Sequence, residues 1–358
     1  MTVTDPVRIG VVGYGLGGRA FHTPLIASAE GARLVAVVTG NPDRQAQLAE
    51  DHLGVPPVGH LRDLVSLGAE AVVISSTTGT HTELTDEALD LGLHVVCDKP
   101  LALNAADAAA SIARAEAAGL LLTAFQNRRW DSDFLTVRRL LAEGTLGDVY
   151  RFESRFERWA PGPPRAWWRV ELPPEQGGGV RLDLVTHLLD QAMVLFGPVT
   201  SVYAESATRR TASEAEDDVS VLVTHVDGTS SQIWANTMSG DTSRRIRVLG
   251  TEGAYVVGGV DGQEDALRAG RTPASEGDAW GVEPETSWGH LATGAEHTVV
   301  PTERGRWDAF YPAFAAAVRG QGPLPVDPRE ALAVLEVLDA IAVSATEHRV
   351  VTLGPTPR

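Results

Sequence analysis

The sequence is almost devoid of two residue types, cysteine and lysine. Cys97 is the only cysteine in 358 residues, which excludes an intramolecular disulfide and is compatible with a reducing compartment. Lys99 is the only lysine, and arginine supplies every other basic position. Lysine is a compact cation whose pKa falls on burial, whereas arginine stays protonated. A lysine kept at one position therefore indicates a chemical role there, with chance retention as the alternative.

The sequence also lacks an excess of positive charge, and it lacks any long apolar run. The formal net charge is −17, which disfavours nucleic acid and anionic membranes as partners. No run approaches the ~18 apolar residues of a membrane-spanning helix, and residues 1–6 lack a secretion-signal pattern. We therefore expect a cytoplasmic protein with a small-molecule partner, which a local arginine cluster could bind even if it is anionic.

Length and element order indicate two domains. Up to residue 125, apolar strand-like segments alternate with helix-like segments, which predicts an α/β domain with a doubly wound parallel sheet. From residue 126 to 358, period-two segments such as residues 147–156 predict a second α/β domain on a largely antiparallel sheet. Residues 258–297 show little periodicity and are predicted to be a loop over the site or at an interface.

A glycine-rich turn follows the first predicted strand. Gly13, Gly15 and Gly18 form a G-x-G-x-x-G pattern that includes Tyr14 and Leu16 and leads into a helix-like stretch. The three glycines suit a tight turn, close approach of a pyrophosphate, and packing of helix on strand. With a strand before it and a helix after it, this turn predicts dinucleotide binding.

The end of the second predicted strand carries no acid. Thr39 follows the strand, and Asn41 and Arg44 come shortly after it. An acid here reads the ribose 2′-hydroxyl of NAD, whereas a cation accommodates the 2′-phosphate of NADP. The pattern favours NADP, while the nearby Asp43 leaves NAD possible and Arg44 could also be a solvated cation at a helix start.

Polar residues follow the ends of three later strands. They are Ser75 to Thr78, Asp98 with Lys99, and Gln126 to Arg129. Ligands of parallel sheets bind beyond the carboxyl ends of the strands, so these loops are expected to converge with the glycine turn. Pro100 restricts Lys99 to extended backbone geometry.

A mostly apolar helix is predicted over residues 180–196, after Gly177, Gly178 and Gly179. Asp183, His187 and Asp190 fall on one stripe of it. Buried ionisable groups are costly unless they are paired or used, and an Asp four residues before a His can orient the imidazole for acid–base work. A solvent-facing stripe and a metal site are the alternatives; with no cysteine or third histidine nearby, we expect no metal.

The set of motifs resembles the Gfo/Idh/MocA oxidoreductases. The resemblance rests on the glycine turn, on Asp98-Lys99-Pro100 in place of the family's Glu-Lys-Pro, on Asn127 to Phe134, and on Asp183-x-x-x-His187. It implies an N-terminal Rossmann domain and a C-terminal domain with a large, mostly antiparallel open sheet, which members often use to form dimers or tetramers. Bound NAD(P) and catalysis through Lys99, Asp183 and His187 are implied as well.

The resemblance also implies further site residues. The expected coenzyme contacts beyond the glycine turn include Ser76, Thr77, His81, Asp98 and Lys99, although the family's Thr-Pro-Asn is here Ser76-Thr77-Thr78. The expected substrate contacts are Asn127, Arg128, Arg165, Trp167 and Trp168; the tryptophans could equally serve core or interface packing.

Together these features predict hydride transfer between a nicotinamide and a secondary alcohol or ketone of a sugar, cyclitol or related polyol. Two rival functions are a redox-assisted, NAD-dependent glycosidase and an NADP-binding sensor without turnover. The complete set of Lys99, Asp183 and His187 disfavours the sensor, since a sensor has no need of an acid–base pair.

Overall fold

The structure, a computed structural model, describes residues 5–162, 168–210 and 213–354. The chain forms two compact units, and neither is continuous in sequence. The first unit runs to residue 127 and regains residues 262–280 and 306–331, and the second holds residues 128–261, 281–305 and those from 332 onward. These two units are groups of residues that pack together and do not by themselves define sequence domains. The boundary predicted between residues 125 and 126 therefore stays a prediction.

The strands form a six-stranded and a nine-stranded sheet in the described residues. In chain order they are β1 Val7–Val12, β2 Ala32–Val38, β3 Pro57–Val58, β4 Ala71–Ile74, β5 His94–Cys97, β6 Leu122–Ala124, β7 Val149–Glu157, β8 Val199–Ala207, β9 Asp218–His225, β10 Ser230–Asn236, β11 Ile246–Gly250, β12 Gly253–Val257, β13 Gly289–Thr293, β14 Glu296–Val300 and β15 Val351–Thr352.

Along the chain, the helices alternate with the parallel strands of the first sheet and are fewer among the strands of the second sheet. In chain order they are α1 Thr23–Ser28, α2 Pro42–Asp51, α3 Leu61–Ser66, α4 His81–Asp90, α5 Ala105–Ala118, α6 Ser132–Ala142, α7 Trp168–Glu171, α8 Thr186–Phe196, α9 Gln263–Arg268, α10 Pro273–Glu276, α11 Phe310–Val318 and α12 Pro328–Glu347. Wider π-type turns, Gly17–His22 and Arg181–Val185, run directly into α1 and α8.

The first sheet has the order β3-β2-β1-β4-β5-β6 and all its pairs are parallel. Its central strand β4 is buried along its whole length, because helices cover both faces of a doubly wound sheet. Local signals set the helix ends: the Asn104 side chain accepts the Asp107 N–H to start α5, and Gly119 ends it with φ +67°.

The second sheet has the order β14-β13-β12-β11-β7-β10-β9-β8-β15. Its pairs are antiparallel except β7 with β10. Alternate residues of β10 are buried, and α8 packs against β7 and β10. The predicted fold class, a Rossmann-type parallel sheet plus an α/β domain with a large, mostly antiparallel sheet, is confirmed.

The prediction of a loop over residues 258–297 is wrong. The segment contains α9, α10 and β13, and most of its helical part belongs to the first unit. Helices of four and six residues are too short to give a periodic signal, which is why the sequence pattern did not indicate them.

Residues 306–331 also return to the first unit and pack against it. Phe310 is fully buried and packs edge to face on Phe125, with ring centroids 4.8 Å apart. Arg319 donates to both carboxylate oxygens of Glu70, at 2.8 and 3.2 Å, and Thr123 Oγ1 donates to the Val326 carbonyl oxygen at 2.7 Å. This segment is therefore part of the first unit's core.

We expect Phe310→Ala to lower the free energy of unfolding of the first unit by about 3–5 kcal/mol, because it removes a buried ring and leaves a cavity. Urea unfolding followed by tryptophan fluorescence measures the change. The control is Val299→Ala. Val299 is 62% exposed, so this change should have little effect on the free energy of unfolding. A loss below about 1 kcal/mol for Phe310→Ala would contradict the assignment of this segment to the core.

Candidate active site

The glycine turn after β1 has the geometry that a dinucleotide requires. Gly13 has φ +94°, and a Cβ on Gly18 would collide with the carbonyl oxygen of Gly13. At Gly15, in contrast, the nearest described atom to an added Cβ is Arg44 Nη2, at 3.9 Å. These features provide a tight turn, close packing of helix on strand, and open space for a pyrophosphate. The turn therefore fits a bound dinucleotide.

A cavity of about 550 Å³ lies beside this turn, and we call it the arginine pocket. Its volume is that of a small-molecule site. Its lining includes Tyr14, Gly15, Leu16, Arg19, Arg44, Asp51, Leu267, Arg268, Gly270 and Thr272. Among the described residues that line it, Thr39 and Asn41 are absent. Thr39 is 6% exposed, and Asn41 Oδ1 accepts the Arg44 N–H at 3.1 Å to cap α2.

One wall of the pocket is fixed by Asp51 at the end of α2. Arg19 donates to it from Nε and Nη2, at 2.6 and 3.2 Å, and the Tyr14 hydroxyl donates at 2.9 Å. Burial and Asp51 raise the pKa of Tyr14 well above its ordinary value, so the hydroxyl keeps its proton. The Arg19 hydrogen bond holds the pKa of Asp51 below its usual range. These bonds tie the glycine turn to α2.

Asp98, directly after β5, joins the loops at the carboxyl edge of the first sheet. Ser75 Oγ donates to its Oδ2 at 2.8 Å, and His22 Nε2 lies 3.2 Å from its Oδ1. A Cβ on Gly17 would come within 2.9 Å of Oδ2. The turn that follows the glycine motif therefore packs directly on this carboxylate.

His22 connects Asp98 to the returning segment. The imidazole is fully buried, and its Nδ1 lies 2.5 Å from the Tyr311 hydroxyl. Burial would raise the pKa of Asp98, but the imidazoles of His22 and His81 and the hydroxyl of Ser75 outweigh burial and hold that pKa well below its usual range. Asp98 is therefore a carboxylate at neutral pH.

Lys99 follows Asp98 and is partly exposed. Its peptide bond to Pro100 is cis. His81, 1% exposed, donates from Nδ1 to the Pro100 carbonyl oxygen at 2.8 Å. Ser76, at the start of the turn before α4, accepts the Thr80 hydroxyl at 2.8 Å. His81 thus ties the turn that holds Ser76 and Thr77 to the Lys99 loop.

In the second unit, Asp183 and His187 lie on the continuous helix formed by the turn Arg181–Val185 and α8. His187 is 6% exposed and Asp190 is 2% exposed, which argues against a solvated polar stripe. The wider first turn alters the angular spacing that a regular α-helix gives to residues four apart. Sequence periodicity alone did not reveal this turn.

The Asn127 to Phe134 motif anchors that helix. Arg129 donates to both oxygens of Asp190, at 2.8 and 2.6 Å, and Gln191 Nε2 donates to the Arg128 carbonyl oxygen at 2.7 Å. Arg245 in turn donates from Nη2 to Gln191 Oε1 at 3.0 Å. The helix that carries His187 is therefore held at two successive residues.

The start of the helix is held by Glu216. Its Oε1 accepts the Arg181 N–H at 3.0 Å, and its carbonyl oxygen accepts the Val180 N–H at 3.1 Å. A Cβ on Gly179 would collide with the Glu216 carboxylate, which explains the last glycine of the triplet. Burial raises the pKa of Glu216.

The predicted substrate residues have different positions. Asn127 and Arg128 are 7% and 6% exposed, and Arg128 Nη1 lies 3.2 Å from Asp131 Oδ2 with its guanidinium 4.7 Å from the Phe156 ring centre. Arg165 and Trp167 lie outside the described residues. Trp168 begins α7, and its side chain is not among those described.

Two family models match the chain. The model of the oxidoreductase family with an NAD-binding Rossmann fold covers residues 7–126, and that of the GFO/IDH/MocA C-terminal domain covers residues 134–256. The oxidoreductase YdgJ of Escherichia coli (strain K12), uncharacterised, is 34% identical over 97% of this chain and 98% of its own. The chain belongs to the Gfo/Idh/MocA family. It is thus an NAD(P)-dependent oxidoreductase.

Two further proteins are similar to this Gfo/Idh/MocA oxidoreductase over nearly its whole length. The scyllo-inositol 2-dehydrogenase (NADP(+)) IolW of Bacillus subtilis (strain 168) is 29% identical over 98% of this chain and 96% of its own. The solved structure of yvaA from Bacillus subtilis has a TM-score of 0.90 at 28% identity, covering 99% of this chain and 100% of that one.

The described residues of the oxidoreductase contain no helix that is both long and apolar enough to cross a bilayer. Within the same ranges, no group of three or more His, Cys, Asp or Glu side chains could hold a metal ion.

Sequence reasoning missed several residues that position the site. These are His22, Tyr311, Gln191, Glu216 and Arg245; the pairing of Arg129 with Asp190 was missed too, although both residues were noted. His22 follows the glycine turn by four residues and carried a usable signal, since a histidine on a helix packed against a parallel sheet is costly without a partner. The others are partners across long sequence separations, which no local pattern indicates.

We expect Asp98→Asn to lower the free energy of unfolding at pH 7 by about 1–3 kcal/mol, because His22 loses its charged partner. A carboxylate whose folded-state pKa is depressed contributes stability above its unfolded pKa of about 4 and loses it as pH falls toward the folded pKa. Urea unfolding between pH 8 and pH 3 measures this. The free energy of unfolding of the variant should lie below that of the parent protein by the same amount down to about pH 4, and the difference should become smaller below that pH.

Asp90→Asn is the matched control, because Asp90 pairs with Arg114 at the surface and its side chain is 66% exposed. It should cost less than about 1 kcal/mol. A difference for Asp98→Asn that is absent at pH 7, or that grows on acidification, would refute the described role of the Asp98 carboxylate.

Proposed function

We propose that this oxidoreductase transfers a hydride between NADP(H) and a secondary alcohol or ketone of a sugar, cyclitol or related polyol. The observation that carries the proposal is the convergence of the glycine turn, the Asp98 carboxylate and the sole lysine, Lys99, at one edge of the first sheet. Ligands of parallel sheets bind at this edge. The name of the relative IolW, a scyllo-inositol 2-dehydrogenase that uses NADP(+), supports the same class.

A bound NADP(H) would supply the hydride acceptor or donor, and the residues of this chain supply the proton chemistry. In the proposed scheme, His187 takes the proton of the substrate hydroxyl, and Asp183 orients the imidazole. Lys99 donates a hydrogen bond to the reacting oxygen and stabilises negative charge as it develops there. Whether the proton passes to His187 directly or by way of Lys99 is a question of kinetics.

The preference for NADP is proposed on the charges near the glycine turn. Arg44 lines the arginine pocket, and among the described residues no carboxylate lies within ion-pair distance of it. An unpaired guanidinium in a pocket of a protein with net charge −17 favours an anionic ligand group. The 2′-phosphate is the group that distinguishes NADP from NAD.

We further propose that copies of the chain associate through the exposed face of the second sheet. Leu222 of β9 is 43% exposed. On the same face, Arg155 of β7 is in register with Trp234 of the adjacent strand β10, and its guanidinium lies 4.2 Å from the ring centre of Trp234. Aromatic and arginine side chains of this kind are enriched at protein interfaces.

A spectrophotometric screen of sugars and polyols with NADP⁺ and NAD⁺ in parallel tests the reaction and the coenzyme. We expect reduction with NADP⁺ to have a kcat/KM about 10- to 100-fold above that with NAD⁺, since charge-assisted hydrogen bonds to a phosphate contribute about 1.5–3 kcal/mol. A preference for NAD⁺ would overturn the coenzyme proposal. Substrate turnover that leaves the coenzyme unreduced would instead favour the glycosidase function.

Lys99→Met tests the proposed catalytic role. It keeps the side-chain length and removes the charge, so we expect kcat to fall about 10²- to 10⁴-fold while the Kd of the coenzyme, measured by fluorescence titration, stays nearly constant. Arg62→Met, at an exposed position of α3, is the matched control. Turnover within about threefold of the parent protein would contradict the role of Lys99.

A further inference from the structure

The arginine pocket has a wall that does not come from the nucleotide-binding βαβ units. Leu267, Arg268, Gly270 and Thr272 line it, and they belong to the segment of residues 262–280 that returns to the first unit. Its helix α9 packs against the turn Gly17–His22 that follows the glycine loop. A segment about 240 residues downstream of this turn therefore completes the pocket.

The returning wall adds a guanidinium to the pocket. Arg19, Arg44 and Arg268 line it, and Asp51 is the one carboxylate among its described lining residues. Asp51 is already occupied by Arg19 and by the Tyr14 hydroxyl, and Glu264, behind the wall, offsets the charge of Arg268. The guanidinium of Arg44 thus leaves the pocket with a net positive charge in a protein that is strongly acidic overall. Such a local reversal indicates an anionic ligand group.

Arg268 is oriented but retains free donors. Glu264, one helical turn earlier, accepts from its Nε at 3.0 Å and lies 2.8 Å from its Nη2. A guanidinium carries five N–H donors, so the Nη1 side remains open, and no other described residue accepts from it. The side chain is 45% exposed. Glu264 thus holds the fork in place, and the fork can still bind phosphate oxygens in bidentate fashion.

We propose that Arg268 is a specificity-determining residue that binds the 2′-phosphate of NADP together with Arg44. This inference rests on the proposed preference for NADP and deepens it, because it assigns half of the phosphate site to the returning segment. Arg19 is less suited to the same role, since it is held by both oxygens of Asp51, whereas Arg268 contacts a single oxygen of Glu264. Glu264 is a positioning residue for Arg268.

The neighbouring Arg271 provides a matched control. It lies three residues further along the same segment, pairs with Glu276 at 3.6 Å and is 55% exposed. It is not among the described residues that line the pocket. A variant of Arg271 therefore removes the same charge from the same segment without removing a group from the pocket.

The test is calorimetric titration of the full chain with 2′,5′-ADP and with 5′-ADP at constant ionic strength, so that no turnover is needed. The variants are Arg268→Gln, Arg268→Lys and the control Arg271→Gln. For Arg268→Gln we expect the Kd of 2′,5′-ADP to rise about 10-fold or more, with the Kd of 5′-ADP changed less than about twofold. Arg268→Lys should recover part of the loss, and Arg271→Gln should match the parent protein.

Two outcomes overturn the proposal. In the first, Arg268→Gln leaves the Kd of 2′,5′-ADP within about twofold of the parent value. In the second, it weakens both ligands equally, which would mean a change in pocket shape and no contact with the 2′-phosphate. If the parent protein itself fails to prefer 2′,5′-ADP over 5′-ADP, the NADP preference fails with it; if the parent protein prefers 2′,5′-ADP and Arg268→Gln does not alter this, only the role of Arg268 fails.

Discussion

The carboxylate of Asp98 is the group on which the carboxyl edge of the first sheet depends. It accepts the Ser75 hydroxyl after β4, contacts His22 of the helix that follows β1, and packs under Gly17. A largely buried anion without partners would cost several kcal/mol, so each neighbouring loop is constrained to bring it a donor or a cation. The loop that carries Lys99 and the glycine turn are therefore both held by the same carboxylate.

In the second unit, the helix that carries Asp183 and His187 also contains buried ionisable groups that need partners. Arg129 neutralises Asp190. The side-chain amide of Gln191 accepts from Arg245 through its oxygen and donates through its nitrogen to the Arg128 carbonyl oxygen. Glu216 satisfies the N–H groups at the helix start. Buried ionisable residues on an apolar helix are tolerated here because each of these partners is also fixed. The Asn127 to Phe134 motif thus positions the helix that carries Asp183 and His187.

Some of the site could be predicted because its signals are local. Period-two and helical patterns gave the alternation of the first sheet, and the spacing of Gly13, Gly15 and Gly18 gave the dinucleotide turn. Lys99 was recognised by its rarity and by its place after a strand. Contacts of Thr39 and Asn41 with the coenzyme were predicted from their place after the second strand. In the structure Thr39 is buried, and Asn41 caps a helix.

The sequence by itself determined the fold class, the family and the identity of the chemical groups, because backbone geometry and side-chain periodicity act over a few residues. The tertiary structure decided which distant segments complete each site. Tyr311 reaches His22 across 289 residues, and Arg268 enters a pocket that opens at Gly15. Such contacts depend on how the segments of residues 262–280 and 306–331 pack back onto the first sheet, and packing over that separation leaves no periodic trace in the sequence.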